Sequence, residues 1–442
     1  MSRAAPGPTL ARATLTLLAG GALAQLLPLL LGPVLARLFT PGAFGVFTQF
    51  TTLAAALAVA ACLRYEQALP LAHDEQDARA LLALCLRLTA GAALLALPLG
   101  WALHAAGWLP LPALLPLAVG CAGLLQVLTL WANRAQRFGA LAASRVVQYG
   151  GAALAQVLLG WLLWQGAATG AEGAWALVLA PLAAQALAAM WLLRPAPLGG
   201  WRAVLAPAGP ERPALAARMR AQARQHKDFA LINTPHAFLG TLQDALAVAL
   251  LVWWAGDAAA GFWGLALRYL KAPATLVGQA VSQALYPRLA TAASPQAARR
   301  LVRQVMALLA LPALGLMALL LLAGPWLFAL AFGQPWREAG ELARALAPYI
   351  AAHFVAGPLA VVTQAWGAQR WAFRLALVGQ GVFLAALAAG LHVGGLRGGA
   401  WAVSAAMLPY FGWYFWRLAR WPQVPVRAAA QAAGPAEQGQ GA

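Results

Sequence analysis

Residues 303–330, RQVMALLALPALGLMALLLLAGPWLFAL, contain 27 consecutive positions after Arg303 without a charged side chain. A helix that spans the hydrocarbon of a bilayer needs about 20 predominantly apolar residues, whereas a strand of a membrane barrel needs about 9–11. This stretch is far longer than a barrel strand requires. It therefore predicts a membrane-spanning helix and a helical fold.

The composition of the whole chain supports a membrane fold. Of its 442 residues 62% are hydrophobic and 10% are charged, and the mean hydropathy is +0.70. Soluble domains are roughly 45–50% apolar and about 25% charged. These values exclude a soluble enzyme and a disordered chain. The three cysteines lie in apolar runs and have the spacing of neither a zinc site nor a disulfide framework: Cys62, Cys85 and Cys121.

Eleven further stretches are long and apolar enough to span a bilayer. We therefore expect an all-α polytopic membrane protein with about 12 transmembrane helices. The predicted spans are 13–36, 43–63, 80–103, 109–132, 141–164, 172–193, 230–254, 261–286, 303–330, 342–365, 371–391 and 396–416.

The cations alternate with the predicted spans. The chain has 30 Lys and Arg against 12 Asp and Glu. Of these cations 22 fall in one set of loops, three in the opposite set and five inside spans. Cytoplasmic loops carry the excess of Lys and Arg in membrane proteins. We therefore predict a multi-pass protein of the bacterial inner membrane with both termini in the cytoplasm. We attribute the net positive charge to membrane topology rather than to nucleic-acid binding.

A long basic connection divides the chain into two equal sets of spans. The prediction is an N-terminal six-helix bundle, a basic cytoplasmic linker, a C-terminal six-helix bundle and a disordered cytoplasmic tail, at 1–193, 194–229, 230–420 and 421–442. A six-helix repeat returns to its starting side, so the bundles are expected to be parallel repeats related by a pseudo-two-fold axis. Gly45-Val46-Phe47 and Gly261-Phe262-Trp263, at the starts of spans two and eight, are similar.

Six charged residues fall inside predicted spans. Such residues are costly in lipid and indicate a functional or a paired role. Arg145 and Arg344 lie near span ends, where snorkelling to the interface is an alternative. Asp244 and Lys271 lie near the midplane of consecutive spans, either as a buried ion pair or as part of a polar site in a water-filled cleft. The six are Arg87, Arg145, Asp244, Arg268, Lys271 and Arg344.

Span eight carries a continuous polar face. Its members recur at intervals of three and four residues: Arg268, Lys271, Thr275, Gln279, Ser282 and Tyr286. Helical periodicity places them along one side. Polar stripes also hold helices together in membranes, but that role does not require charge. Five cations against one anion predict a cleft that attracts anions.

The sequence has no phosphate-binding loop of the form G-x-x-x-x-G-K-[ST] and no H-E-x-x-H motif. No large outer loop that could form a polymerase or ligase site lies between the predicted spans. We therefore expect a transporter that is not an enzyme and that needs no metal or other cofactor.

Four stretches resemble the polysaccharide transporter family, the lipid-linked oligosaccharide flippases that include O-antigen flippases. They are GGALAQLLPLLLGPVLARLFTPGAFGVFTQF at 20–50, Leu63-Arg64-Tyr65-Glu66, GFWGLALRYLKAPATLVGQAVSQALYPRL at 261–289, and Phe332-Gly333-Gln334-Pro335-Trp336 with Glu338-Ala339-Gly340. This family is part of the multidrug/oligosaccharidyl-lipid/polysaccharide exporter superfamily. The order and spacing of the stretches extend the resemblance over nearly the whole chain.

The resemblance implies two six-helix bundles around a central cationic cavity and a substrate of undecaprenyl pyrophosphate that carries a glycan. It implies cavity roles for Arg268 and Lys271 and for Arg64 and Glu66, whereas Arg37 in the family-like turn is equally well explained as a structural cap. It also implies that a polysaccharide polymerase and a chain-length regulator are partners.

The polar stripe and the intramembrane cations add Thr275, Gln279, Arg87 and Arg145 to the candidate substrate-binding residues. The charge argument makes Asp244 a candidate for ion coupling. The expected function is therefore flipping of a lipid-linked oligosaccharide for O-antigen, capsule or exopolysaccharide synthesis. A cation-coupled multidrug or small-metabolite antiporter of the same superfamily is the alternative, although it would need more acidic cavity residues.

Overall fold

A computed structural model describes residues 10–165, 173–194, 200–205, 209–292 and 294–422. Every regular element within these ranges is helical. The α-helices are α1 Leu10–Leu38, α2 Pro41–Ala60, α3 Glu75–Ala105, α4 Leu115–Arg134, α5 Phe138–Arg145, α6 Ala152–Gln165, α7 Ala174–Leu192, α8 Gly200–Leu205, α9 Glu211–Gln225, α10 Thr234–Ala290, α11 Pro295–Phe332, α12 Arg337–Ala365 and α13 Gln369–Ala419.

Shorter helical segments join several of these helices. A π-helical segment, Val146–Gly151, connects α5 to α6, and a second one, Phe229–Asn233, precedes α10. Turns of 3₁₀-helix follow α2, precede α4 and precede α12: Tyr65–Leu71, Pro112–Leu114 and Gln334–Trp336.

Nine helices among the described residues are long and apolar enough to cross a membrane. Two of them are pairs of helices, because their backbones leave the helical region at Gly256 in α10 and at Gly394 and Gly395 in α13. Gly256 and Gly395 have φ of 79° and 61°, which glycine adopts without steric cost. We call the parts α10a (234–255), α10b (257–290), α13a (369–393) and α13b (396–419). With α1, which is 29 residues long, the described helices match the twelve predicted spans.

The chain packs as two compact units. Unit 1 is formed by Met1–Leu265 with Trp326–Ala339, and unit 2 by Ala266–Pro325 with Gly340–Ala442. The division into compact units does not test whether the two halves of the sequence are structural repeats. The predicted division into two bundles at 194–229 therefore stays a prediction. The predicted tail lies outside the described residues from position 423 onward.

In unit 1, α2 and the start of α10b pack backbone against backbone at glycines. A Cβ on Gly45 would collide with the carbonyl of Asp257, and a Cβ on Gly261 would collide with the carbonyl of Pro41. The two similar glycine-led segments that open spans two and eight are therefore in direct contact. This close approach requires glycine at both positions.

Trp336 joins the end of α1 to the same region of unit 1. Its side chain is fully buried, and Nε1 donates to the carbonyl of Ala36 at 2.6 Å. The ring packs edge-on against Phe44 and Phe262, with centroids 4.9 and 5.9 Å away. Arg37 Nη2 donates to the carbonyl of Leu330 at 3.3 Å, which supports the structural alternative for Arg37.

Part of the predicted linker forms helices that belong to unit 1. Leu215, Met219 and Gln222 make up the buried face of α9, and Leu215 and Met219 belong to one apolar cluster with residues of α3. Arg79 of α3 donates to the carbonyl of Ala203 at 2.6 Å and pairs with Glu211 at 3.1 Å. Residues 195–199 and 206–208 of the linker lie outside the described residues.

Unit 2 contains α13 and most of α10b, α11 and α12. Polar side chains tie its helices together: Ser282 donates to the carbonyl of Pro358 at 3.2 Å, and Ser404 to that of Ala345 at 2.6 Å. Large leucines such as Leu311 and Leu322 are exposed on α11, as expected for a helix that faces lipid.

Candidate functional site

The polar face predicted on span eight lies on α10b in unit 2. Arg268 and Lys271 are half-buried, one turn apart, and Thr275 and Gln279 continue the face as exposed side chains. At 1.5 Å per residue the four positions extend over about 16 Å of helix. The hydroxyl of Thr275 donates to the carbonyl of Lys271 at 2.9 Å, so it bonds to its own helix rather than to a neighbouring one.

Lys271 lies within electrostatic range of His353 on α12. The His353 ring contacts Tyr349 and Phe411, with centroids 5.8 and 6.4 Å away. Its Nδ1 is buried and has no hydrogen-bond partner among the residues that the structure describes. His353 was not selected from the sequence, because a single histidine in an apolar span has no motif around it. Unit 2 thus places the His353 imidazole near Lys271, one of the two cations of the polar face of α10b.

A second charged site lies in unit 1, where α2 ends. Glu66 is 3% exposed, and its Oε1 lies 3.7 Å from Arg64 Nη1. Its Oε2 accepts a hydrogen bond from the thiol of Cys62 at 2.9 Å. The structure therefore brings together Arg64 and Glu66, which the resemblance had selected, and adds Cys62.

The turn that carries this site has an uncommon backbone. Leu63 and Arg64 have φ of 51° and 59°, consecutive left-handed conformations that side chains with a Cβ rarely adopt. Such conformations persist only where the surrounding structure enforces them. Here the following residues are buried, and the hydroxyl of Tyr65 donates to the carbonyl of Ala223 beyond α3 at 3.2 Å. The backbone strain thus lies directly at the predicted site.

The pKa values of two groups beside Glu66 are raised. The pKa of the Cys62 thiol is raised by its hydrogen bond with Cys85, by burial and by the negative charge of Glu66. Burial, and to a smaller extent Cys85, raises the pKa of Tyr65. Cys62 is therefore a neutral thiol near neutral pH and acts as a hydrogen-bond donor to the carboxylate. The spacing of Cys62 and Glu66 by four residues is the one sequence signal that could have pointed to this contact.

The remaining candidates lie on other helices. Arg87 of α3 has Nη1 2.9 Å from the Met219 sulfur, so it reaches the linker helix α9. Arg145 is exposed at the end of α5, where its Nη1 lies 3.5 Å from the position that a Cβ on Gly21 would take. Asp244 is exposed on α10a in unit 1.

Arg344, which the sequence placed near a span end, forms an ion pair with Glu341 at 3.1 Å, one turn earlier on α12. Within the described residues, no three His, Cys, Asp or Glu side chains are grouped closely enough to hold a metal ion.

Comparison with known proteins gives a family and a fold. Residues 34–341 match the model of the family described as "Polysaccharide biosynthesis protein". No curated protein matches the chain significantly.

Several solved structures are similar over most of their length. A lipid II flippase, MurJ, in an inward closed conformation has a TM-score of 0.63 at 10% identity, with 91% of this chain and 89% of that chain covered. An inward-facing multidrug resistance MATE transporter of the MOP superfamily has a TM-score of 0.59 at 14% identity, with 89% and 93% covered. A MATE transporter of Vibrio cholerae, VcmN, has a TM-score of 0.53 at 15% identity, with 93% and 95% covered.

At these identities the structures establish the fold. The predicted all-helical polytopic architecture is confirmed. Family and fold agree with the prediction of a membrane transport protein rather than an enzyme.

Proposed function

Because the chain belongs to the polysaccharide biosynthesis protein family, as its sequence resemblance predicted, we propose that it flips undecaprenyl-pyrophosphate-linked oligosaccharide across the bacterial inner membrane. The direction is from the cytoplasmic to the outer leaflet, for O-antigen, capsule or exopolysaccharide synthesis. The distribution of cations over the loops supports a cytoplasmic location of both termini.

The observation that carries this proposal is the polar face of α10b. A polyprenyl pyrophosphate diester cannot cross hydrocarbon with its charges unpaired, because the cost of burying them is prohibitive. Arg268 and Lys271 are half-buried cations inside a membrane-spanning helix, followed along the same face by hydrogen-bonding side chains. Arg binds phosphate bidentately and Lys acts as a point charge. This chemistry suits a pyrophosphate head group, and a cationic drug would be repelled.

The predicted central cavity supplies the path for the head group, with the polyprenyl tail in lipid and with alternate opening to the two sides. The inside of a bacterial cell is negative, so the outward movement of an anion is favoured by roughly 2.3 kcal/mol per charge per 100 mV. The membrane potential therefore suffices as a driving force. Asp244, on α10a, is the residue that we propose for coupling to a proton or a sodium ion.

The other candidates take supporting roles in this proposal. Arg64 and Arg145 offer exposed or half-exposed guanidinium groups to phosphate oxygens. Arg87, whose guanidinium contacts Met219 of α9, would bind substrate next to the linker helices. A polymerase and a chain-length regulator are the proposed partners, because they would act on the glycan after it is flipped.

A reconstituted flipping assay with a fluorescent lipid-linked oligosaccharide tests the proposal. We expect Arg268→Ala combined with Lys271→Ala to reduce the initial rate at least tenfold. The matched control is Arg212→Ala combined with Arg220→Ala, which removes two exposed cations of α9 and should preserve the rate. Flipping by the α10b double variant at the wild-type rate would overturn the cationic-site mechanism. Ion-coupled export of cationic drugs without flipping would favour the antiporter instead.

A further inference from the structure

Arginines are concentrated at the end of unit 2 where three helix termini meet. They lie at the start of α11, at the start of α13a and at the end of α13b: Arg299, Arg300 and Arg303, Arg370 and Arg374, and Arg417 and Arg420. We call these seven side chains the basic end of unit 2. They belong to the loops that carry the excess of cations, so this end is predicted to face the cytoplasm.

Direct contacts join the three termini. Nη1 of Arg299 donates to the carbonyl of Trp421 at 3.0 Å. The Trp421 ring contacts that of Trp371 with centroids 5.0 Å apart, and Trp371 stacks on Tyr414 at 6.0 Å. Leu418 is fully buried in the same apolar cluster as residues of α11. The basic end is therefore one surface built on packed aromatic side chains.

The described part of unit 2 has no carboxylate at this end. Its one acidic residue is Glu341, in the first turns of α12. Because α12 runs from there towards the start of α13a, Glu341 lies at the opposite end of that helix, where it pairs with Arg344 at 3.1 Å. The described residues of unit 2 thus supply no counter-charge to the basic end.

In unit 1, by contrast, arginines on the predicted cytoplasmic side pair with carboxylates of the protein. The pairs are Arg79 with Glu211 at 3.1 Å, Arg134 with Glu75 at 3.1 Å and Arg218 with Asp77 at 3.5 Å. The general excess of cations in cytoplasmic loops does not explain this difference, because both units carry that excess. Since like charges on one surface repel one another, the basic end of unit 2 is suited to an external anion.

Tryptophan side chains place the basic end at the level of the lipid head groups. Trp413 and Trp416, in the last turns of α13b, are 47% and 49% exposed. Tryptophan is enriched at this level because its ring is apolar and its N–H is polar. Arg417 and Arg420 follow within about 6 Å of Trp416 along the helix axis. The anion that a membrane provides at this level is a phospholipid phosphate.

Two of the guanidinium groups lie over indole rings. Cζ of Arg417 is 5.2 Å from the ring centroid of Trp421, and Cζ of Arg420 is 5.4 Å from that of Trp416. Both distances are within the range of a cation–π interaction. Such a contact leaves the N–H donors of a guanidinium able to bond to phosphate oxygens. The aromatic rings therefore position the cations without neutralising them.

We propose that the basic end of unit 2 is a binding site for acidic phospholipids of the cytoplasmic leaflet. Their phosphates pair with the arginines, and their acyl chains lie against the exposed tryptophans. Clusters of Lys and Arg beside membrane-spanning helices attract anionic head groups, and each cation contributes about fivefold to the affinity. Binding of this kind is expected whichever substrate the protein transports.

Native mass spectrometry of the full chain in a non-ionic detergent tests this site. The probes are dioleoylphosphatidylglycerol, whose head group is anionic, and dioleoylphosphatidylcholine, which has the same acyl chains and phosphate but no net charge. The fraction of protein with bound lipid is measured against lipid concentration. We expect phosphatidylglycerol to bind at least about tenfold more tightly, because several cations act together.

Variants locate the site on the chain. Arg417→Gln combined with Arg420→Gln should lower the affinity for phosphatidylglycerol at least about tenfold and leave that for phosphatidylcholine unchanged. The matched control, Arg212→Gln combined with Arg220→Gln, removes two exposed cations of α9 in unit 1 and should leave both affinities unchanged. Arg417→Lys combined with Arg420→Lys keeps the charges and should retain the preference, whereas a purely structural role of these arginines would not be rescued by lysine.

The wild-type protein provides a second measurement that needs no variant. Its preference for phosphatidylglycerol should shrink as ammonium acetate is raised from about 0.1 to about 0.5 M, because salt screens charge pairs at a surface. A preference that salt leaves unchanged would contradict pairing between arginine and phosphate.

Four further results would overturn the proposal. Equal affinities for the two lipids would show that the protein does not select charge. An equal loss in the α9 control would show that net charge, rather than this surface, attracts the lipid. Loss of binding in Arg268→Ala combined with Lys271→Ala, but not in the glutamine variant, would place the lipid at the polar face of α10b. Release of the lipid by an equal concentration of glycerol 3-phosphate would identify a site for soluble phosphates instead.

Discussion

Replacement of Trp336 by alanine should strongly destabilise unit 1. The indole is fully buried, it packs against Phe44 and Phe262, and it donates to the carbonyl of Ala36, 300 residues away in sequence. Ala36 lies among the last residues of α1, whose carbonyls have no donor within their own helix. Trp336 therefore fills a gap and also caps a helix.

Two contributions set the expected magnitude. Truncation of a buried Trp or Phe to alanine costs about 3–5 kcal/mol, which includes the cavity left behind. A carbonyl left unsatisfied costs about 1–3 kcal/mol. We expect Trp336→Ala to lower the free energy of unfolding by about 4–8 kcal/mol and Trp336→Phe, which keeps an aromatic ring but loses the donor, by about 1–3 kcal/mol on the same grounds.

The assay is equilibrium unfolding of the protein in mild detergent, followed by circular dichroism. The matched control is Trp326→Ala, at an exposed tryptophan ten residues earlier, where we expect a change within about 0.5 kcal/mol. A Trp336→Ala variant within about 1 kcal/mol of wild type would refute the packing argument. Equal losses for Trp336→Phe and Trp336→Ala would refute the division between ring and hydrogen bond.

Two further predictions follow from the same unit. Gly261→Ala should disrupt the contact between α2 and α10b and lower the midpoint of thermal unfolding, because the added Cβ would collide with the Pro41 carbonyl. The control Gly357→Ala, at a glycine with open space around it, should leave the midpoint unchanged. Equal midpoints for the two variants would contradict the packing described. The raised pKa of Cys62 keeps the fraction of thiolate low until the pH rises well above the usual cysteine range, so maleimide labelling of Cys62 at pH 7–8 should be slow. Labelling is measured by peptide mass spectrometry. It should accelerate in Tyr65→Ala, which opens the apolar cluster that contains both residues. Rapid labelling of Cys62 in the folded wild type would contradict the burial and the hydrogen bonds described.

The sequence alone predicted the twelve spans, because their cause is local. A stretch of about 20 apolar residues matches the thickness of the hydrocarbon, and the helix satisfies its own backbone groups. The kinks of α10 and α13 also coincide with predicted boundaries between spans, since the breaks predicted at 254–261 and 391–396 contain Gly256 and Gly395. The polar face of α10b followed from periodicity within a single helix.

The tertiary structure alone decided which residues meet. Nothing in the sequence places Trp336 under Ala36, Gly45 beside Asp257 or Cys85 beside Cys62, because these contacts depend on how helices that are remote in sequence pack together. The same holds for the charges. The sequence selected Arg64 and Glu66 as a pair of cavity residues, but only the fold shows that one is buried and the other half-exposed. Helix formation is set by each segment and its solvent, whereas the environment of a charge is set by its neighbours, and this difference separates what the sequence determined from what the structure added.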